Sequence, residues 1–373
     1  MDFAYTEEQR MLADSLRRLV QDQWSFAARR ARGTQPKPAA WAQLAELGVL
    51  GLNIDAGHGG SGQPPASLLP VHLELGRGLV SEPVIPSAVM SATLIAACAD
   101  AATQRQWLPA LAGGQAMVSL AYQEPGRRYD TEPEQCRVRP AADRILELSG
   151  TKHLVWHGAA AQAWIVSARD IDDEPLLLLV PAQAQGVTLL DTPTLDRARC
   201  ARIDFDRTPL DARAILAQGQ AARDALFAAL QWGTAALCAH AAGAMERLLE
   251  ITIDHLKTRR QFGQPLAAFQ VLQHRMADML VAKEMALSMA YVAVAALSEP
   301  DGAQRRRMLA AAKLEAARAG RFVAQSAVQL HGGMGMTDEL EVGDYFKRLT
   351  MADQLLGDSA EQLAVLEELA ELP

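Results

Sequence analysis

Two segments in the C-terminal half of this 373-residue chain carry residue types that could bind a ligand. One runs from Arg259 to Pro265 and reads RRQFGQP, and the other runs from Ala327 to Thr337 and reads AVQLHGGMGMT. A guanidinium fork matches phosphate oxygens, and an aromatic face matches a flat ring. Both segments also fit helix ends, because cations, glycine and proline gather at helix C-termini. The residue types alone leave binding and helix termination open.

Helical patterns on either side of a β-rich middle must position these segments. Thr6 and Gln9 form a capping-box pattern ahead of an apolar stripe, which predicts an N-terminal helix. Short β-type runs separated by turn residues occupy roughly residues 116–213, and they are 117–122, 145–148, 163–167, 176–180 and 201–205. Alanine-rich helical patterns then cover 221–258, 269–297 and 305–330. Pattern alone predicts an α-rich protein with a β insert.

The composition argues against several classes of protein. The net charge is −8, from 36 basic and 44 acidic residues without a basic stripe, so nucleic-acid binding is not expected. Four separated cysteines form no C-x-x-C pair, so we predict neither a metal site nor a disulfide framework. No signal-peptide pattern and no uninterrupted apolar run of roughly 18 residues is seen. We therefore expect a soluble, cytoplasmic protein without a membrane span.

The segment 327–337 resembles the flavin-binding signature of the acyl-CoA dehydrogenase family, and 259–263 resembles the family's second flavin motif. The resemblance covers nearly the whole chain, and it implies FAD as cofactor. It places Arg259 on the pyrophosphate, with Gln261 and Phe262 against the cofactor. Gln329 and the backbone of Gly332 and Gly333 would hold the adenine–ribitol end of a flavin belonging to a neighbouring subunit, since a β-carbon would keep the backbone away.

The resemblance also implies the fold. We expect an α+β multidomain protein with an N-terminal helical domain at residues 1–115. A middle antiparallel β-barrel or sandwich would occupy 116–217, and a C-terminal four-helix bundle carrying the flavin and dimer motifs would occupy 218–373.

The residue that the family chemistry needs is missing. In the family a glutamate removes the α-proton of the acyl thioester while hydride leaves the β-carbon for the flavin. The usual position of that glutamate falls on Leu356, and the alternative position used by some members falls on Gly233. Asp358 and Asp353 are the nearest carboxylates, and we name Asp358 as the candidate base, although either aspartate also fits a helix terminus.

The β-rich region departs from the family pattern where the flavin ring and substrate would lie. The cofactor-binding positions implied there are Tyr122, Gln123 and Trp156, and Gln123 replaces the family's threonine. Arg128 and Tyr129 replace a small Gly-Ser pair. These larger side chains would leave less room for acyl-CoA.

The C-terminal segment is similar to the small subunit of two-subunit acyl-CoA dehydrogenases of the pimeloyl-CoA type. The first hypothesis is therefore a base-lacking subunit that works with a larger partner, converting an acyl-CoA to the trans-2-enoyl-CoA and passing electrons to an electron-transfer flavoprotein. A self-sufficient homodimer or tetramer using Asp358 is the second hypothesis. A non-catalytic acyl-CoA-binding or assembly chain is the third, and a flavin monooxygenase or oxidase is a weaker fourth.

Overall fold

The computed structural model describes residues 4–32, 37–142 and 144–370. The helices before the sheet are α1 (Glu7–Gln23), α2 (Phe26–Arg32), α3 (Pro38–Glu46), α4 (Leu68–Arg77), α5 (Ala92–Cys98) and α6 (Ala101–Ala112), with a π-helix at Val84–Ser91 ahead of α5. The strands that follow are β1 (Val118–Ala121), β2 (Arg137–Ala142), β3 (Ile145–Trp156), β4 (Ala163–Arg169), β5 (Pro175–Pro181), β6 (Val187–Pro193), β7 (Arg199–Asp211) and β8 (Ile215–Gln218).

Long helices dominate the remainder of the chain. They are α7 (Gly219–Thr258), α8 (Gln270–Ala296), α9 (Gly302–His331), α10 (Val342–Gln354) and α11 (Ser359–Ala370), and a two-stranded hairpin of β9 (Arg260–Gln261) and β10 (Gln264–Pro265) lies between α7 and α8. The order of helices, sheet and helices confirms the predicted fold class.

The chain divides into two compact units. The helical unit gathers the chain up to Ala31, the segment Pro65–Val80 and everything from Thr234 onward. The sheet unit consists of Arg32–Pro64 and Ser81–Gly233. The three-part division at residues 115 and 217 stays a prediction.

In the sheet unit, eight strands of the described residues form one sheet in the order β6-β7-β3-β2-β4-β5-β8, with β1 against β4. Most neighbours are antiparallel, as predicted, but β1 and β2 each pair with β4 in parallel. No hairpin links either strand to β4, so nothing in the local chain imposes an antiparallel direction. Trp164 of β4 is buried at the centre, where its Nε1 donates to Gly158 O at 2.8 Å and its ring meets Phe205 edge-on.

In the helical unit, the predicted capping box is present. Gln9 N donates to Thr6 Oγ1 at 3.2 Å, and Thr6 N donates to Gln9 Oε1 at 3.0 Å. Helices α4 and α7 cross with their backbones in contact, because a Cβ on Gly76 would lie 2.0 Å from His240 O and one on Gly243 would lie 2.0 Å from Leu73 O. Only glycine permits this approach.

Helices α7 and α8 are long and apolar enough to cross a membrane by length and composition alone. Core helices of globular proteins pass the same test, and 78% of the apolar window of α7 is buried. In α8 the buried share is 39%, so much of its apolar surface is exposed within this chain. The prediction that the chain has no membrane span stays a prediction.

Candidate functional site

The segment after α7 is a tight β-hairpin. Gln261 pairs with Gln264 and Arg260 with Pro265, so Phe262 and Gly263 form a two-residue turn with φ of +52° and +80°. Such turns favour glycine and asparagine, and an aromatic residue there costs on the order of 1 kcal/mol in backbone strain. The Phe262 side chain is nevertheless 90% exposed, touching Phe269 edge-on at 6.1 Å between ring centroids. A strained, exposed aromatic side chain is suited to a contact outside its own unit.

Arg259 joins α7 to this hairpin with its backbone held on both sides. Its N–H donates to His255 O at 2.8 Å, and its carbonyl accepts from Leu266 N at 2.8 Å. The side chain is exposed, and among the described residues no hydrogen bond or ion pair engages its guanidinium. The helix-end interpretation of this segment is correct only as far as Thr258, because Gly263 belongs to the hairpin turn and does not cap the helix.

The second motif forms the end of α9. Gln329 is exposed in the last helical turn, and its carbonyl accepts from Gly332 N. Gly332 has φ +63° and ψ −145°, a conformation that is almost confined to glycine. A Cβ built on Gly332 or on Gly333 would meet nothing within 4 Å. The open space above both glycines fits a ligand that lies against the backbone, so these residues fit the dinucleotide end of FAD.

Two histidines connect the motifs inside the helical unit. His255 lies one turn before Arg259, and His331 lies two residues after Gln329. Their rings stack with centroids 4.2 Å apart and planes inclined by 28°. The sequence analysis did not predict this contact. Helical spacing alone puts His255 and Arg259 on one face of α7, but pairing across two helices needs the tertiary structure.

The sheet unit holds the positions implied for the flavin ring. Gln123 O accepts from His153 N at 3.0 Å, which ties the segment after β1 to β3, and Gln123 Nε2 donates to Arg128 O at 2.9 Å. The Tyr122 side chain is 9% exposed, and burial raises the pKa of its phenol. Trp156 is half-buried and stacks on His157, with ring centroids 6.3 Å apart. Roles for these side chains in cofactor binding stay predictions.

Beneath this segment lies a buried ion pair. Lys152 Nζ donates to Glu124 Oε1 at 2.9 Å, to Tyr122 O at 3.0 Å and to Ser167 Oγ at 3.0 Å. Both charged side chains are at most 1% exposed. Burial acts to raise the pKa of Glu124, but the Lys152 charge and backbone N–H donors outweigh it and lower that pKa to about 2. Glu124 is therefore a permanent anion that orders the segment, and it is a poor proton acceptor.

Buried contacts fix the turn at Leu356, the position where the resemblance places the family glutamate. Leu356 has φ +58° and is followed by Gly357 at φ +96°. Buried Lys313 fixes the turn by donating to Asp353 O at 3.0 Å and to Gly357 O at 2.9 Å. At the alternative position, Gly233 is a buried residue inside α7.

The two neighbouring aspartates have structural partners. Asp358 Oδ1 accepts from Ala360 N at 3.1 Å and Glu361 N at 3.0 Å, which caps α11. Asp353 accepts from Ser359 Oγ at 2.8 Å and from Arg321 Nη2 at 2.5 Å. Burial acts to raise the pKa of Asp353, but these hydrogen bonds and the Lys313 charge together lower it. The assignment of Asp358 as the base stays a prediction.

The sheet unit also contains a groove of about 280 Å³ between its sheet and the start of α7. Its walls are polar and apolar in about equal parts, with Leu177 and Phe227 alongside Glu132 and Arg223. Two of the lining residues form an ion pair, with Arg223 Nε 2.8 Å from Glu132 Oε1. This volume is slightly below the range usual for small-molecule sites, so the groove alone does not hold an acyl-CoA.

A mixed sheet in one unit, and long helices in the other that end in an arginine-bearing and a glycine-bearing motif, are features typical of flavoprotein dehydrogenases. The N-terminal domain of acyl-CoA dehydrogenases matches residues 6–115, and the C-terminal domain matches residues 224–369. The acyl-CoA dehydrogenase IpdE2 of Mycobacterium tuberculosis is 30% identical over 374 residues, which cover 97% of this chain and 96% of IpdE2. The chain belongs to the acyl-CoA dehydrogenase family.

Two solved structures extend this finding. The Tcur3481-Tcur3483 steroid ACAD, in a variant form, shares 30% identity with a TM-score of 0.87, and the match covers 98% of each chain. The ChsE4-ChsE5 complex from Mycobacterium tuberculosis shares the fold, at 24% identity and a TM-score of 0.89 over 100% of each chain. Family members are oxidoreductases that act on the CH–CH bond of acyl-CoA, and their cofactor is FAD, so the predicted family, enzyme class and cofactor are confirmed.

Proposed function

We propose that the chain is the base-lacking subunit of a two-subunit, FAD-dependent acyl-CoA dehydrogenase that converts an acyl-CoA to the trans-2-enoyl-CoA. The observation that carries the proposal is the turn at Leu356. Its backbone is held by Lys313 in a left-handed conformation, yet the residue it presents cannot accept a proton. Bound FAD would supply the hydride acceptor. The catalytic carboxylate would come from the larger partner subunit.

The distribution of retained and altered residues supports this division. The dinucleotide-end residues are exposed at the ends of α7 and α9: Arg259, Gln261, Phe262, Gln329, Gly332 and Gly333. In the proposal these hold the adenine and pyrophosphate end of a flavin that is shared with a neighbouring subunit. The pocket for the flavin ring would be altered from the family pattern, and it would be formed by Tyr122, Gln123 and Trp156.

Exposed apolar side chains of the helical unit supply a surface for such a neighbour. Val271 is 72% exposed and Val281 59% on α8, and Met336 is 78% exposed after the glycine pair. Large apolar side chains this exposed are typical of interaction surfaces. The proposed assembly is a hetero-oligomer with a larger acyl-CoA dehydrogenase subunit, and a homodimer or tetramer is the alternative. The ChsE4-ChsE5 complex shows that this fold occurs in two-component assemblies.

The remaining parts of the proposal follow from the family. Electrons would leave to an electron-transfer flavoprotein, and the protein would work in the cytoplasm without binding nucleic acid. The net charge of −8 agrees with the last point. The three-domain division at residues 115 and 217 belongs to the proposal as well.

Asp358→Asn separates this proposal from a self-sufficient enzyme. Asparagine caps helices about as well as aspartate, so α11 should stay folded in the variant. A base-lacking subunit predicts that activity of the assembled protein changes less than twofold, roughly the scatter of such assays. Loss of activity by a factor of about 100 or more, with unchanged circular dichroism, would instead identify Asp358 as the base. If FAD does not bind even when a partner subunit is present, the hypothesis of a non-catalytic chain would be supported instead.

A further inference from the structure

We propose that the stacked rings of His255 and His331 act as one positioning element that fixes Arg259 relative to Gln329, and that this half-site holds the flavin dinucleotide only while both rings are neutral. The inference rests on the proposed function, in which these two motif residues bind FAD. His255 and His331 would not touch the reacting atoms, and they would act through the residues beside them.

The stacked rings join the ends of two helices, α7 and α9. Arg259 N donates to the carbonyl of His255 at 2.8 Å, so the arginine backbone is hydrogen-bonded to the residue that carries the first ring. On α9, His331 Nδ1 lies 2.9 Å from Ala327 O. Because a carbonyl only accepts, Nδ1 carries the proton, which fixes the tautomer and the ring plane. A shift of either ring would therefore change the separation of the two motifs.

The turn after α9 packs against the Cβ of the same histidine. A Cβ on Gly335 would lie 3.1 Å from the Cβ of His331, so the segment Gly332–Met336 folds back over the histidine. The positive-φ Gly332 is thus fixed between Gln329 and a turn that rests on His331. The pair supports the glycine backbone as well as the arginine.

The charges around the pair disfavour a proton on it. Burial lowers the pKa of His331, against the hydrogen bond to Ala327, which acts to raise it. Burial also lowers the pKa of His255, and the neighbouring His331 and Arg259 lower it further. Arg275 of α8 adds another cation near α9, with Nη1 3.4 Å from Ser326 Oγ.

Within the described part of the chain, no carboxylate is among the groups that shift the pKa of either ring. The turn 332–336 contains no titratable residue. On α10, which packs against that turn, Asp344 is already paired with Arg29 at 3.1 Å and Arg30 at 3.3 Å. A proton on either ring would therefore place a new positive charge beside its stacked neighbour and Arg259, which separates the rings and displaces the motifs.

Flavin retention of the FAD-loaded assembled protein, measured from pH 8 to pH 4.5 by the fluorescence of released FAD, tests the inference. Wild type should release FAD on acidification, with a midpoint below the ordinary histidine value of about 6.5. His255→Phe keeps a stacking ring that cannot be protonated, and its release midpoint should move down by about one pH unit or more. His255→Ala should weaken FAD binding about tenfold at pH 7.5, the loss expected when one charge-assisted hydrogen bond is misplaced. His58→Phe, a half-buried position in the sheet unit outside both motifs, is the control and should follow wild type.

Superimposable release curves for wild type and His255→Phe, or unchanged affinity in His255→Ala, would overturn the inference. Arg259→Ala in the same assay separates this failure from that of the proposed function. If Arg259→Ala loses FAD while the histidine variants behave like wild type, only the positioning role of the pair is wrong. If Arg259→Ala also binds like wild type, or if wild type binds no FAD, the proposed dinucleotide site is wrong and the inference falls with it.

Discussion

The buried pair of Lys152 and Glu124 allows a sharp test of how the sheet unit holds the segment that follows β1. Replacing Lys152 with methionine keeps the side-chain length and removes the charge, which leaves Glu124 as a buried carboxylate that still accepts hydrogen bonds from Gln135 N and Cys136 N. The pKa of Glu124 is lowered from 4.5 to about 2 in the folded protein. At about 1.4 kcal/mol per pH unit, this shift corresponds to roughly 3 kcal/mol of stability at neutral pH. Removing one partner of a buried ion pair typically costs about 3–5 kcal/mol, and the value from the pKa shift agrees with this range.

The pH dependence follows from the sign of the shift. A carboxyl group whose folded pKa is lowered stabilises the protein above its unfolded pKa, and the contribution is lost as pH falls from about 4.5 towards 2. Without Lys152, only the backbone donors still act to lower the pKa of Glu124, so that pKa rises above its wild-type value and the variant relieves its cost by binding a proton. The difference in unfolding free energy between wild type and Lys152→Met should be largest at neutral pH and should shrink on acidification.

Urea denaturation followed by circular dichroism, together with hydrogen exchange of the peptide that contains Gln135 and Cys136, measures the effect. We expect roughly hundredfold lower protection of those amides at pH 7 in Lys152→Met. The double variant Lys152→Met/Glu124→Gln should recover part of the loss, because a neutral amide oxygen still accepts the backbone donors. Ser167→Ala, which removes one neutral partner of the same ammonium, should cost only about 1 kcal/mol. A loss below about 1 kcal/mol in Lys152→Met, or a double variant no better than the single one, would refute the reasoning.

Two further predictions concern the helical unit, measured by thermal and urea unfolding without added cofactor. Gly332→Ala should destabilise this unit by about 1–3 kcal/mol, since φ +63° with ψ −145° is nearly confined to glycine. Gly333 has no positive φ and also faces open space, so Gly333→Ala should change the stability of the helical unit by less than about 1 kcal/mol. Equal losses of stability in the two variants would contradict the backbone argument. Burial lowers the pKa of His72 to about 3. Below about pH 6.5 this histidine therefore binds a proton in the unfolded chain but stays neutral in the folded chain, so the free energy of unfolding decreases as the pH drops. This group alone should remove about 2 kcal/mol between pH 7.5 and pH 5, and His72→Leu should lose that part of the slope, whereas an unchanged slope would contradict the assignment.

The long helices were predictable from the sequence because their signals are local. The pattern over 221–258 matches α7 to within two residues, and the capping box at Thr6 is formed as predicted. Strands β2, β6 and β8 were missed. β6 spans Val187–Pro193 and is mostly exposed, so it lacks the apolar alternation that marks a half-buried strand.

The site was predictable as two motifs and not as an arrangement. Residue types identified Arg259 and Gln329, but the β-hairpin after Thr258 was interpreted as a helix end, because glycine and proline serve both structures. Lys313 gave no sequence signal at all. Its role depends on carbonyls more than 30 residues further along the chain, which only tertiary packing brings within 3.0 Å.

The most direct test of the central claim measures FAD per polypeptide and flavin bleaching by a panel of acyl-CoAs under anaerobic conditions. The protein is examined alone and after co-expression with a larger acyl-CoA dehydrogenase subunit. A base-lacking subunit predicts that the lone chain holds little FAD, or FAD that no acyl-CoA reduces, and that reduction occurs in the two-subunit assembly. Near-stoichiometric FAD that bleaches with acyl-CoA in the lone chain would contradict the account and would show that a complete site, with its own base, is present.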